Sequence, residues 1–469
     1  MLFSSFLLGV VCAFSAYAGT TPKVKNVIIQ LFEWPWNSIA SECTTVIGPA
    51  GYGYVQVSPA YEHIKGNMWW SDYQPVSYEL ISKRGTRDQY ANMVKTCKAA
   101  GVDVLADTVL NHMTMATGTA TGFGSTTYSK YDYPGVPYVA SQFHYGNGDG
   151  TACTITGNGT YAELQNCELG GLADLAQEQQ GVRNTLAAHL NDMLSLGVAG
   201  FRFDSARLVA SADLSAIFSL LKFPYYGIME IIYGDGENDS LSGNYAAFGD
   251  VTEFRATTAI MNHFLGQGIS NLVTPTPMGE AWGYLPSESA NLLMANQDTE
   301  RSGTSLNVKS PNNGYTLSAL FILAFNYGVP TIFSGYDYGE YSDPAPQDSA
   351  GNTNPVTCFS NGWRCEHRWM AIQNMVGFHN AAGSSPLTNV FSGNSQRIAF
   401  GRGSVAFIII NNDGSTWTSS FTTSLPDGNY CDIIHANFAN CNAATYTISG
   451  GRFTASIGAR DAIAFYVRR

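Results

Sequence analysis

The sequence runs to 469 residues, of which 45% are hydrophobic, 13% aromatic and 13% charged, with a formal net charge of −12 at pH 7. So apolar a chain can bury a sizeable core, which excludes intrinsic disorder, and its acidic balance argues against nucleic acid and anionic membrane surfaces as partners. At about 100–200 residues per domain, the length allows two to four domains or one large barrel with additions.

Residues 1–18 read as a secretory signal. The apolar run from Leu2 to Tyr17 is too short and wrongly flanked for a membrane span, and Ala16-Tyr17-Ala18 offers the small residues of a cleavage site. A secreted, extracellular protein is therefore expected, and no later stretch is long and apolar enough to span a bilayer. Removing the signal removes Cys12 and leaves eight cysteines, an even count that suggests four disulfides in an oxidising compartment. The last six fall into local pairs 14, 7 and 10 residues apart. Zinc ligation is the rival reading, but no Cys-x-x-Cys pair or His-rich partner supports it. Asn158-Gly-Thr160 and Asn238-Asp-Ser240 are candidate glycosylation acceptors.

Eight short β-branched or apolar runs follow, at 27–32, 54–57, 102–107, 200–204, 226–230, 251–254, 291–296 and 329–333. Amphipathic stretches at 87–100, 180–196 and 212–221 lie between several of them. This alternation predicts a (β/α)₈ TIM barrel over 19–110 and 175–383. Residues 111–174 turn rich in Gly, Thr, Tyr and Asn with no helical period, which suggests a domain inserted after the third strand. From 384 to 469, short runs at 398–401, 405–411 and 462–467 are divided by Asn-Asp-Gly and Pro-Asp-Gly turns and read as a C-terminal antiparallel β-sandwich.

In such a barrel the active site lies at the carboxyl ends of the strands. The third run ends Asp107-Thr-Val-Leu-Asn111-His112, the fourth Gly200-Phe-Arg202-Phe-Asp204, the fifth Ile228-Met-Glu230 and the seventh Asn296-Gln297-Asp298. Three carboxylates, Asp204, Glu230 and Asp298, thus face one rim. An Asp at a strand end often caps the next helix and a lone Glu often forms a salt bridge, so each alone is weak; their convergence on one pocket carries the signal. Paired carboxyl groups suit glycoside hydrolysis, one attacking the anomeric carbon and one protonating the leaving oxygen. Arg202 shares the strand face of Asp204 by the period of two and would keep it ionised. Trp69, Trp70 and Tyr73 form an aromatic cluster able to stack on sugar rings, since two adjacent Trp in a strand or loop do not both face one core.

The strand ends 107–112, 200–204, Glu230 and 296–298 resemble the four signature regions of the α-amylase family of glycoside hydrolases. Longer runs such as Phe32-Glu-Trp, Val55-Gln-Val-Ser-Pro59, Gly279-Glu-Ala-Trp-Gly283 and Cys365-Glu-His-Arg-Trp369 resemble its secreted, animal-type branch. The resemblance implies retaining endo-hydrolysis of α-1,4-glucosidic bonds in starch, glycogen and maltooligosaccharides by a monomer. It gives Asp204 as nucleophile, Glu230 as acid/base and Asp298 as transition-state stabiliser. His112, Arg202 and Arg207 become supporting substrate contacts, and Trp69, Trp70 and Tyr73 the donor-side platform. It further implies a Ca²⁺ held by Asn111, Asp174 and the carbonyls of Gln165 and Leu208. The implied disulfides are Cys43–Cys97, Cys153–Cys167, Cys358–Cys365 and Cys431–Cys441.

Three positions depart from the family pattern. Gln297 replaces a His that contacts sugar hydroxyls, so a modest loss of rate or a shifted pH profile is expected. Leu208 replaces another His on the leaving-group side, which bears on product pattern. The chloride site of animal-type members is matched by Arg202 and Asn296, but Thr331 replaces an Arg, so chloride-independent activity is expected. The Gly-rich loop after the fourth region is also altered, at 302–314. Two other readings stand beside the hydrolase: a glucanotransferase on the same scaffold, and a silent starch-binding relative.

Overall fold

A computed structural model describes residues 25–144, 153–157, 159–233, 240–437, 441 and 444–468. The expected signal at 1–18 and the sequon residues Asn158 and Asn238 lie outside them. Eight parallel strands close a barrel in sequential order: β1 (Ile28–Leu31), β2 (Tyr54–Val57), β3 (Asp103–Val109), β4 (Gly200–Asp204), β5 (Tyr226–Met229), β6 (Asp250–Thr252), β7 (Ala290–Leu293) and β8 (Val329–Ser334). Each coincides with one of the eight apolar runs. β7 stops at Leu293, short of the expected end at 296, so Asn296 to Asp298 sit on the turn beyond it. Among the described residues no helix is long and apolar enough to cross a membrane.

The inside of the barrel is layered. Ile28, Tyr54, Leu105, Tyr226, Ile228 and Val329 form an apolar plug, with the Tyr54 and Tyr226 rings 5.3 Å apart. Two residues further along their strands, the period of two turns Gln30, Gln56, Asp107 and Thr331 inward, and Asn291 of β7 joins them by donating to Thr331 Oγ1, giving a polar layer above the plug. The site therefore rests on a floor that is already hydrogen-bonding rather than oily.

Between β3 and β4 the described residues of the excursion at 111–174 hold a two-strand hairpin (Ala120–Thr121 with Thr127–Tyr128), a 3₁₀ turn at Ala140–Gln142 and a short α-helix, Tyr161–Asn166. That helix was not expected; a Thr160–Glu163 capping box starts it within a Gly- and Thr-rich stretch. Bonds run back to the barrel end: Leu175 N–H donates to the Asn111 carbonyl at 3.0 Å and Met113 N–H to that of Ala173 at 2.9 Å. All four expected disulfides are formed.

The C-terminal region adds β9 (Leu387–Asn394), β10 (Arg397–Arg402), β11 (Ala406–Asn411), β12 (Trp417–Thr422), β13 (Gly428–Cys431), β14 (Thr445–Ile448), β15 (Arg452–Ile457) and β16 (Asp461–Tyr466). A four-stranded sheet, β9-β10-β11-β16, packs over the β12-β15 pair through Phe407, Ile409, Trp417, Phe421 and Phe453. Arg402 fastens this region to the barrel. Its guanidinium, 1% exposed, donates to the carbonyls of Ala324 (2.8 Å), Phe325 (3.0 Å), Gly383 (2.5 Å) and Ser385 (2.7 Å). Burial lowers its pKa to about 10, so it remains a cation at neutral pH. Arg402→Met keeps the bulk but strands these carbonyls, and a loss of about 3 kcal/mol or more is expected in urea unfolding. A variant within about 0.5 kcal/mol of the parent would show that the clamp is dispensable.

Candidate active site

The expected catalytic rim assembles in one cleft of about 430 Å³. Its walls include Trp69, Trp70, Tyr73, His112, Asp204, Glu230, Gln297 and Asp298. They arrive from four strand ends: His112 after β3, Asp204 at the end of β4, Glu230 after β5, Gln297 and Asp298 after β7. Trp69, Trp70 and Tyr73 lie on a single 3₁₀ turn, Trp69–Tyr73, rather than on a strand or open loop. Trp69 is buried and Trp70 half-buried, with their rings at 84°, and both reach the cleft wall.

Arg202 joins these groups. One guanidinium nitrogen donates to Asp107 Oδ1 at 2.8 Å and to Asp204 Oδ1 at 2.8 Å; the other contacts Glu230. Asp107 stands opposite Arg202 in the β3–β4 register, and the Tyr73 hydroxyl donates to its Oδ2 at 2.8 Å. Glu230 Oε2 accepts from the Ser205 N–H at 2.8 Å; Ser205 has φ +47, a left-handed turn that aims this amide back at the site. Burial raises the pKa of both Asp204 and Glu230, against the pull of Arg202. Burial, reinforced by Glu230, raises Asp298 to about 7. Burial lowers His112 to about 4, leaving a neutral ring whose Nε2 lies 3.0 Å from the Tyr73 carbonyl.

Gln297 is also tied in. Its Oε1 accepts from Gln30 Nε2 at 2.9 Å and its Nε2 donates to the Tyr73 hydroxyl at 3.1 Å. Arg207 does not line the cleft; it donates to the Ile232 carbonyl at 2.5 Å and so braces the rim beside Glu230. Sequence reasoning gave no role to Asp107 or Gln30, and it missed Met115, Leu169, Ile232 and Tyr341 on the cleft walls. The strand period pointed inward at Asp107 and Gln30, whereas Tyr341 comes from the long stretch after β8 and carries no local signal.

Two further sites follow from the implied ions. Asn111 Oδ1 and Asp174 Oδ1 are buried without a hydrogen-bond partner, an arrangement a hard cation would satisfy. The helix carrying Gln165 packs against the turn Ala206–Leu208, which brings the segments of the other two expected ligand residues together. Among the described residues no group of three or more His, Cys, Asp and Glu forms a metal cluster. At the expected chloride position Thr331 Oγ1 accepts from Asn291 Nδ2 at 2.8 Å, and the small cavity there is lined by amides and hydroxyls, by Arg202 and Glu230, and by apolar side chains such as Ile228 and Leu293. Arg202 there is shared by the carboxylates of Asp107, Asp204 and Glu230.

The Asp298 carboxylate makes no hydrogen bond or ion pair among the described residues, so its charge costs stability. With a folded pKa of about 7 against 3.8 for the free side chain, the cost is absent below pH 4, grows as pH rises and is complete above 7. Asp298→Asn should therefore stabilise the fold above pH 7 by on the order of 2 kcal/mol, allowing for partial exposure, and gain nothing near pH 4. Thermal melts of both proteins from pH 4 to 8 read this directly; a gap that does not widen with pH contradicts it.

Residues 50–216 match the family model for the α-amylase catalytic domain, and residues 389–468 that for the α-amylase C-terminal all-β domain. An α-amylase of Streptomyces violaceus is 43% identical over 95% of this chain and 74% of its own length. An α-amylase-related protein of Drosophila atripex is 36% identical over 96% and 94% of the two chains. The crystal structure of α-amylase I from Eisenia fetida superposes with a TM-score of 0.89 at 34% identity, covering 97% of this chain and all of that one. Strand ends, cleft and relatives agree, and the chain belongs to the α-amylase family of glycoside hydrolases.

Proposed function

We propose that this enzyme is a secreted, retaining endo-hydrolase of internal α-1,4-glucosidic bonds in starch, glycogen and maltooligosaccharides. The observation that carries the proposal is the convergence of Asp204, Glu230 and Asp298 on one aromatic-walled cleft, with Arg202 spanning the first two. In this reading Asp204 attacks the anomeric carbon while Glu230, as a carboxylic acid, gives its proton to the departing glycosidic oxygen. The resulting glycosyl ester on Asp204 is opened by water, whose proton returns to Glu230. Asp298 binds ring hydroxyls and favours the distorted sugar, and Trp69, Trp70 and Tyr73 stack against the donor side. A related Eisenia fetida structure, an α-amylase variant, is a maltohexaose complex, which supports an oligosaccharide occupant for the cleft. A γ-cyclodextrin glucanotransferase structure is 16% identical and shares the fold alone.

Residues 19–110 and 175–383 would form the catalytic barrel, 111–174 the inserted domain and 384–469 the C-terminal domain. Asn111, Asp174 and the carbonyls of Gln165 and Leu208 would hold Ca²⁺, which when bound supplies charge that fixes the inserted domain to the end of β4. Chloride has no part in this reading, and the four disulfides suit an exported protein.

On soluble starch the protein should rapidly shorten chains and release α-anomeric maltooligosaccharides. Asp204→Asn should be slower by a factor on the order of 10³ or more. Release of nothing above that variant would favour a binding role, and dominant transfer products from maltooligosaccharides a glucanotransferase. For the ions, chelation should lower the melting temperature and added Ca²⁺ restore it, with Asp174→Asn indifferent to both. Added chloride should leave the rate unchanged; a severalfold rise would contradict the neutral site at Thr331.

A further inference from the structure

Arg202 makes ion pairs with Asp204 and Glu230, and among the described residues none with Asp298. The place of that third carboxylate is therefore set by its backbone, and one residue holds the backbone on both sides. The side chain of Arg301 donates through Nη1 to the Gln297 carbonyl at 3.1 Å, and its N–H donates to the Asp298 carbonyl at 3.2 Å. The first bond falls on the peptide unit that joins Gln297 to Asp298. On the opposite edge of the same unit, the Asp298 N–H donates to Asn296 Oδ1 at 3.0 Å. One bond lets a peptide plane tilt, whereas two on opposite edges fix it and with it the direction of the Asp298 Cα–Cβ bond.

The surroundings of Arg301 are unusual for a cation. Its side chain is wholly buried, and Nη1 also meets Glu300 Oε1 at 3.0 Å. Nε and Nη2 have no hydrogen-bond partner. Instead the guanidinium lies 4.3 Å from the ring centre of Tyr338, 5.2 Å from Tyr336, 5.5 Å from Phe32 and 5.6 Å from Trp69. Trp69 belongs to the aromatic wall of the cleft, so the same side chain touches the platform and the turn that carries Asp298. Glu300 is fixed in turn: Arg364 Nη2 donates to its Oε2 at 2.9 Å, and the Tyr338 hydroxyl to its carbonyl at 2.9 Å.

Packing alone gives no reason for a cation here. Methionine would fill the cage without two buried donors to satisfy, and such donors cost stability. Lysine would reach one carbonyl, but its compact, strongly hydrated charge suits aromatic faces less well than a guanidinium. A costly group beside a carboxylate that lacks a partner of its own is the kind of local conflict that function explains. We propose that Arg301 is a positioning residue for the reaction: anchored against Trp69, it holds the Gln297 carbonyl and so aims the Asp298 carboxylate at the sugar on the platform. This rests on the hydrolase reading above.

A double-mutant cycle on a maltooligosaccharide tests the assignment. Arg301→Met keeps the bulk and frees the carbonyl, and a carboxylate displaced by about 1 Å should lower kcat by about 10²-fold. KM should change by less than about threefold, because Trp69 is also held by its Nε1 donating to the Tyr341 carbonyl at 2.9 Å. Arg301→Lys, which restores one donor, should recover about tenfold of the loss. On the residual rate of Asp298→Asn, either substitution at Arg301 should cost less than about threefold more, since the group it aims is gone. If Arg301→Met fails to fold, the lysine variant carries the cycle. Equal losses in both backgrounds, or a kcat unchanged by either substitution, overturn the positioning role alone. A parent inactive on the maltooligosaccharide overturns the hydrolase reading and this one with it.

Discussion

One guanidinium sets the terms for the whole site. Arg202 is 5% exposed and faces Asp107, Asp204 and Glu230 at once. Three carboxylates brought this close out of water repel each other and are poorly solvated, and their usual response is to take up protons. The cation offsets part of that cost, and it does so through fixed geometry. Strand register places Asp107 opposite Arg202, and the period of two places Asp204 on the same face. The proposed mechanism, with one carboxylate charged and another protonated, needs such a counterweight, and the amide layer of Gln30, Gln56 and Asn291 beneath it brings no second cation.

The same interior shows how far the sequence could be read. Each of the eight apolar runs became a barrel strand, because each is short, bounded by polar residues and buried on both faces. The end of β7 was misjudged because Met294 and Ala295 continue the apolar pattern after strand pairing has stopped. In the inserted segment the Thr160–Glu163 box, rather than apolar periodicity, starts the helix, so a period-based reading passes over it. The carboxylates were legible because they close strands. The significance of Asp107 was not, since the arginine that explains it lies 95 residues away and only the closed barrel brings them together.

The departure at Gln297 belongs to this electrostatic scheme. Buried to 1% exposure, its amide has one acceptor and one donor engaged, so the bonds run in one direction: Gln30 to Gln297, Gln297 to the Tyr73 hydroxyl, Tyr73 to Asp107, with Asp107 held by Arg202. A neutral imidazole offers the same one donor and one acceptor, but it also titrates near physiological pH, and beside four carboxylates its pKa would be drawn upward. Glutamine keeps the connectivity and drops the proton. Together with Thr331 in place of a second arginine, this leaves the surroundings of the carboxylates neutral on every side but one. The charge state of the cleft then depends chiefly on Arg202 and on the protons of Asp204, Glu230 and Asp298 themselves, since the one histidine on its walls, His112, is held neutral by burial.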